Sequence, residues 1–203
     1  MLRAQVDILK GEEVTIHYMT PMLGTAVRRS KIRKNWFFDC TCPRCRDPTE
    51  MGTFASALLC PDCAKAGKEG VLLPADPLDP ACPSTCSVSG CKSREEAARV
   101  SAMVAKFEVD LETEGECVEA LETFLVTLGQ TLHPQHYLTM TGKRRLLASL
   151  HLAMSQGGGG PPSRLLLQQI VDLADESLRV FGVLDPGPTV LKGRMLQYRF
   201  IID

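Results

Sequence analysis

Eight of the nine cysteines in this 203-residue chain fall between Cys40 and Cys91, and that crowding limits the possible folds more than any other feature. Pro43, Pro48, Pro61, Pro74, Pro77, Pro80 and Pro83 are scattered through the same stretch. Proline at this density excludes long helices, because it lacks an amide donor and its ring clashes with the preceding turn. The apolar content there is too thin for a core of its own. Such a segment is expected to need metal to hold one shape. The opening Met1-Leu2-Arg3-Ala4-Gln5-Val6-Asp7 lacks the basic and apolar regions of a signal peptide. A reducing compartment, nucleus and cytoplasm, is therefore expected, where clustered thiols bind metal rather than pair as disulfides.

The spacing divides the cysteines into two groups. Cys40-Thr41-Cys42-Pro43-Arg44-Cys45 is a C-x-C-x-x-C pattern whose short loops aim three sulfurs inward. A closed structural zinc centre takes four ligands, so the fourth must come from elsewhere: Cys82, or a residue upstream. Cys60-Pro61-Asp62-Cys63 is a C-x-x-C knuckle, followed by Cys82, Cys86 and Cys91. Two half-sites roughly 20 residues apart are a common zinc arrangement. The expected set is Cys60, Cys63, Cys86 and Cys91, with Cys82 as the alternative. Cys117 stands alone in a helical pattern and reads as a small core residue. His133 and His136 read as packing at a helix start.

Around this region the chain reads as α+β. Residues 1–18 suggest a hairpin, with Val6, Ile8 and Leu9, a turn at Lys10-Gly11-Glu12, and Val14-Thr15-Ile16-His17-Tyr18. Such a hairpin needs a partner to pack on. Thr25–Trp36 is plausible helix, with Val27, Ile32 and Trp36 on one side and the basic residues Arg28, Arg29, Lys31, Arg33 and Lys34 on a solvated face. From Ser93 the pattern turns helical. Ser93 and Glu96 fit a capping box for a helix to Leu111. Further helices are expected over Cys117–Leu132, from Pro134 to Met154, from Ser163 to Phe181, and from about Thr189. Gln156 to Pro162 reads as a flexible Gly/Pro connector, since it lacks the Lys-Ser/Thr of a phosphate loop. The expected units are 1–38, 39–49, 50–92 and an antiparallel helical array, TPR-like, over 93–203.

Bulk charge narrows the function classes. Twenty-three basic residues against 24 acidic ones leave a net charge of -1, which offers no broad attraction to nucleic acid or to anionic membrane. There is no C-x2-4-C…H-x3-5-H pattern for a DNA-reading finger, and no apolar run long enough for a membrane span.

Gly11-Glu12-Glu13-Val14-Thr15-Ile16-His17-Tyr18, the basic helix, and Phe38-Asp39-Cys40-Thr41-Cys42-Pro43-Arg44-Cys45 together resemble the end of a SET domain and its post-SET motif. The subtype resembles the SET and MYND (SMYD) family. Leu132-His133-Pro134-Gln135-His136-Tyr137 and Leu184-Asp185-Pro186-Gly187 are similar to segments of that family's C-terminal region. Cys45-Arg46-Asp47-Pro48-Thr49-Glu50-Met51-Gly52-Thr53, Ser56-Ala57-Leu58, Cys60-Pro61-Asp62-Cys63 and Leu73-Pro74-Ala75-Asp76-Pro77-Leu78-Asp79 are similar to its arthropod branch. The resemblance implies S-adenosylmethionine-dependent methyl transfer to a protein lysine, on a histone or another protein, and so a role in transcription regulation. It implies Tyr18 as the catalytic tyrosine and Phe38 as the aromatic on the cofactor's adenine. Trp36 falls where relatives often carry a tyrosine beside the substrate channel and counts with Phe38 as cofactor-binding. The family's Asn-His-Ser-Cys-type segment, its early cofactor-binding glycines and its MYND finger are not found in these 203 residues. The chain alone is therefore expected to be inactive and monomeric. The contrasting reading is a zinc-stapled helical module that binds a partner peptide without catalysis.

Overall fold

The computed structural model describes residues 4, 6–115, 117–156 and 162–200. The glycine run at 157–160 and Pro161 lie outside the described residues. The architecture is α+β, as expected.

The first described element is α1 (Thr25–Trp36). Residues 6–18 pair with no strand, so the expected hairpin is corrected to an extended segment with one turn. That turn forms at Leu9–Glu12, where the Glu12 amide donates to the Leu9 carbonyl at 3.1 Å. An isolated two-stranded ribbon is marginal in water, and Val14 and Ile16 stand exposed here with no layer to cover them.

The small sheet lies instead within the cysteine-rich region. Its strands β1 (Leu58–Leu59), β2 (Val71–Pro74), β3 (Ser84–Cys86) and β4 (Arg94–Glu95) run in the order β1-β2-β3-β4. All neighbours are antiparallel, with Leu58 opposite Leu72, Leu72 opposite Cys86, and Thr85 opposite Arg94. Two short helices, α2 (Pro43–Arg46) and α3 (Pro61–Lys65), each begin at a Cys-Pro step. Proline suits the first helical position because that amide has no intrahelical partner to lose.

This region has a core after all, and the expectation of a coreless stretch is corrected. Leu58, Leu72, Cys60 and Cys63 are buried against Leu111, Phe124, Leu128 and Leu132 of the helical part. Counting apolar residues within 39–92 missed this because half of the core comes from elsewhere in the chain. The Leu59 amide donates to the Thr131 carbonyl at 2.7 Å and the His133 amide to the Ala57 carbonyl at 3.1 Å, so backbone bonds also cross the junction.

The helical part comprises α4 (Ala97–Thr113), α5 (Val118–Gly129), α6 (Tyr137–Gln156), α7 (Arg164–Leu184) and α8 (Val190–Arg199). From α5 onward each helix packs on the next. Leu121, Leu147, Ile170, Ala174 and Phe181 are completely or almost completely buried between them, joined by Met22 and Ala55 from the N-terminal part. Ser163 and Thr189 cap α7 and α8, accepting from the amides of Leu166 and Lys192. Other starts differ from expectation. Ser93 does not cap α4, because Arg94 and Glu95 are taken into the sheet first and Glu96 becomes the cap position. Pro134 lies in the turn before α6, where His133 and His136 satisfy the backbone. Cys117 is not a core residue: it is the exposed cap position of α5, with its thiol bonded to Glu119 at 2.7 Å. No helix among the described residues is long and apolar enough to cross a membrane.

Candidate metal centres and aromatic groove

Two Cys-Pro-x-Cys turns build both cysteine clusters by the same local device. Cys42 and Cys60 each occupy the cap position of a short helix, and Cys45 and Cys63 each follow within its first turn. The amides at a helix start are unpaired and carry partial positive charge, so they favour a thiolate at the cap. The Cys45 thiol, hydrogen-bonded to Cys42, brings Cys42 down to about 5, with the Cys45 amide assisting against burial. The same bond and burial push Cys45 up. Burial works to raise Cys60, yet hydrogen bonds from Ser93 and from the Cys63 amide bring it down to about 6. Burial and the neighbouring Cys86 and Cys60 push Cys63 up to about 12. In each cluster the cysteine at the helix cap is the more readily ionised, and a metal ion would displace the remaining thiol protons.

The structure brings Cys60, Cys63, Cys86 and Cys91 together, with all their sulfurs within 4.8 Å of one another. Cys60 and Cys91 lie 3.7 Å apart, and Cys63 and Cys86 3.5 Å apart. Tetrahedral zinc with Zn–S near 2.3 Å requires sulfur–sulfur edges of about 3.8 Å. The donor set and its dimensions therefore fit zinc. Gly70 closes this centre from one side: a β-carbon there would meet Cys63 Sγ at 2.6 Å. Cys40, Cys42 and Cys45 form a second group within the same limit. Cys82 joins neither; its sulfur instead accepts the Asp76 amide at 3.2 Å. Among the described residues no fourth side chain completes the three-thiol group.

The structure also gathers three aromatic rings at the two ends of α1. Tyr18 meets Trp36 edge to face at 5.8 Å and Phe38 at 5.1 Å. All three remain partly exposed, Tyr18 by 43% and Phe38 by 37%. Tyr18 and Phe38 face an open groove of about 1200 Å³, which Cys40, Cys42 and Cys45 line on one side and Val183 and Leu184 of α7 on another. Between α1 and the three-thiol loop lies a feature the spacing did not reveal. Glu50 is only 1% exposed. Its Oε2 accepts from Arg28 Nη1 at 2.9 Å and from Arg44 Nη2 at 2.7 Å. Its Oε1 accepts from the Thr25 amide at 3.0 Å and from the Ser56 hydroxyl. Burial opposes the charge on Glu50, but the two guanidiniums outweigh it and hold the carboxyl below its ordinary range.

The reading of the basic helix as a uniformly solvated face is corrected accordingly. Arg28 is buried on the stripe Thr25, Arg28, Ile32. Arg29 donates to the carbonyls of Cys40 and Leu78, at 3.1 and 2.6 Å. Trp36, expected on the packed side, is exposed. The available signal was an arginine at i+3 between two buried positions at i and i+7.

Fold and sites together define an α+β protein with two cysteine clusters, one of them dimensioned for zinc, and an aromatic groove beside the other. No protein-family model matches the chain. Among known proteins it is similar to the SET domain-containing protein SmydA-8, isoform A, of Drosophila melanogaster, 38% identical over 74 residues, or 36% of this chain and 15% of that protein. It is also similar to the histone-lysine N-methyltransferase SET5 of Saccharomyces cerevisiae (strain YJM789), 43% identical over 53 residues, 26% of this chain and 10% of that protein. The SET5 protein of Candida glabrata is 41% identical over 48 residues, covering 24% and 9%. The matches span no more than 15% of the length of these relatives. Over the matched stretches the chain is similar to SET-domain proteins of the SmydA-8 and SET5 kind, which supports the presence of part of a SET domain.

Proposed function

We propose that this chain is the C-terminal portion of an S-adenosylmethionine-dependent protein-lysine N-methyltransferase, acting on a histone or another protein in the nucleus or cytoplasm. The observation that carries the reading is the convergence of Tyr18, Trp36 and Phe38 beside the three-thiol loop. S-adenosylmethionine, when bound, supplies an electrophilic methyl group on a cationic sulfur. Aromatic ring faces favour cationic character near them, which suits both the donor and the methylated amine. Tyr18 contributes its ring to that wall and its hydroxyl to orienting the amine. Phe38 offers a flat apolar surface for the adenine. Cys40, Cys42 and Cys45 would hold zinc and so fix Phe38, only two residues before Cys40. Cys60, Cys63, Cys86 and Cys91 would hold a second zinc that is structural, since four thiolates close the coordination sphere.

One aromatic wall does not enclose a cofactor, so the 203 residues alone should bind the methyl donor weakly and transfer no methyl group. Joined to the cofactor-binding half of a SET domain, they should support labelled methyl transfer that Tyr18→Phe abolishes. Transfer that survives Tyr18→Phe would remove the assignment. The successive packing of α5 to α8 supports a second reading, a peptide-binding module without catalysis. Specific peptide capture by the whole chain, together with no transfer from the joined protein, would favour it.

A further inference from the structure

The surroundings of the three-thiol loop differ from those of the four-thiol cluster in one respect. Arg28 is only 6% exposed, yet it makes contacts in two directions. Its Nη1 donates to Glu50, and its Nη2 donates to Thr25 Oγ1 at 2.9 Å and reaches Cys45 Sγ at 3.5 Å. One guanidinium therefore spans a carboxylate and a thiol. Two guanidiniums, the buried Arg28 and the partly exposed Arg44, face the single carboxylate of Glu50, which leaves one positive charge in excess. Asp47 keeps its charge, but its carboxylate is turned to Thr49 and Met51 and pairs with neither guanidinium. A divalent zinc ion on three thiolates carries one negative charge in excess. The two imbalances are opposite in sign whatever the fourth ligand, and a buried charge is tolerated only when it is matched.

We propose that Arg28 is the outer-sphere partner of the Cys40–Cys42–Cys45 centre: it donates to the Cys45 thiolate, balances the charge of the metal with its three sulfurs, and through Glu50 locks that loop to the start of α1. This rests on the reading that these three thiols take zinc. Arg28 is a positioning residue and not a ligand. Outer-sphere groups of this kind orient ligands, and their loss typically weakens metal binding about 10- to 100-fold. No buried guanidinium donates to the sulfurs of the Cys60–Cys63–Cys86–Cys91 centre among the described residues, so that centre serves as the control within the same molecule.

The test is chelator competition and cobalt substitution on the whole chain, comparing the parent with Arg28→Met and Arg28→Lys. In Arg28→Met the three-thiol centre should lose about 10- to 100-fold in metal affinity while the four-thiol centre keeps its own. The sulfur-to-cobalt absorption of the weakened centre should move to longer wavelength, because a thiolate that loses an N–H donor becomes the better electron donor. Arg28→Lys keeps the charge but loses the planar fork. It should retain part of the affinity and still show the band shift; should Arg28→Met fail to fold, this variant decides by the same band. Unchanged affinity and absorption overturn the proposal. Equal weakening of both centres also overturns it, since that marks Arg28 as general scaffold. A parent chain that binds metal only at the four-thiol centre removes the underlying three-thiol reading and the proposal with it.

Discussion

Tyr18 and Phe38 meet edge to face with ring centroids 5.1 Å apart, though they sit beyond opposite ends of the basic helix α1. Their meeting depends on how the chain enters and leaves that helix. Phe37, just past its end, is left-handed at φ 61° and returns its amide to the Arg33 carbonyl at 3.1 Å. The turn directs Phe38 and the three cysteines back along the helix. Arg29 of α1 then holds the returning segment by donating to the Cys40 carbonyl at 3.1 Å.

Trp36 is the single tryptophan and lies 5.8 Å from Tyr18, so it reports on this corner alone. Metal removal by a strong chelator should shift its emission to longer wavelength as the aromatic contacts loosen. Cys42→Ser should do the same, and Cys91→Ser should not. Emission that is indifferent to complete metal removal would disconnect the aromatic corner from the thiols.

Gly70 offers a second test, at the other centre. An alanine methyl there would stand 2.6 Å from Cys63 Sγ and 2.8 Å from its β-carbon. Both the strand and the knuckle are fixed by the Cys60 amide bond to the Gly70 carbonyl at 2.9 Å, so neither yields easily. Gly70→Ala should cost about 1–3 kcal/mol in denaturant unfolding and release metal from the four-thiol centre first. Unaltered stability and metal content would show the sheet to be looser than its bonds imply.

The shared core predicts that the cysteine-rich region and the helices unfold together. Leu72 is 2% exposed and packs with residues of α4 and α5. Leu72→Ala should cost about 2–5 kcal/mol and lower the single transition seen by helical circular dichroism. Two separate transitions, only one of them sensitive to this change, would contradict a common core.

His136 is 1% exposed, and burial pulls its pKa down to about 3 from an ordinary value near 6.5. Its folded pKa lies below its unfolded one, so its contribution is present above the unfolded value and is lost as pH falls. Between pH 7.5 and 5.5 the chain should lose about 1 kcal/mol from this group. Denaturant midpoints at the two pH values check it: His136→Gln should flatten the dependence, and an unchanged slope in that variant would assign the effect elsewhere.

Much of this was legible in the chain itself. Thr25–Trp36 forms the helix its pattern suggested. Ser163 and Thr189 begin helices because a hydroxyl at a cap position has a strictly local partner. The four sulfurs of Cys60, Cys63, Cys86 and Cys91 are gathered as their spacing suggested. What could not be read was long-range. The Glu50 carboxylate meets Arg28 across the fold, and a lone glutamate after a cysteine loop carries no periodic signal. The segment Val14–Tyr18 has strand composition but no strand to pair with among the described residues, and composition does not reveal whether a partner exists. Ser93 satisfied a capping rule, yet sheet pairing at Arg94 and Glu95 outweighed that local preference.

Native mass spectrometry of the purified chain, with thiol labelling in parallel, is the most direct measurement of whether thiolate-bound metal holds the molecule together. Two zinc ions per chain are predicted, falling to one in either Cys42→Ser or Cys86→Ser, with the remaining sulfurs still protected. A chain that carries no metal, with all nine cysteines reacting as freely as in the unfolded protein, would contradict the account.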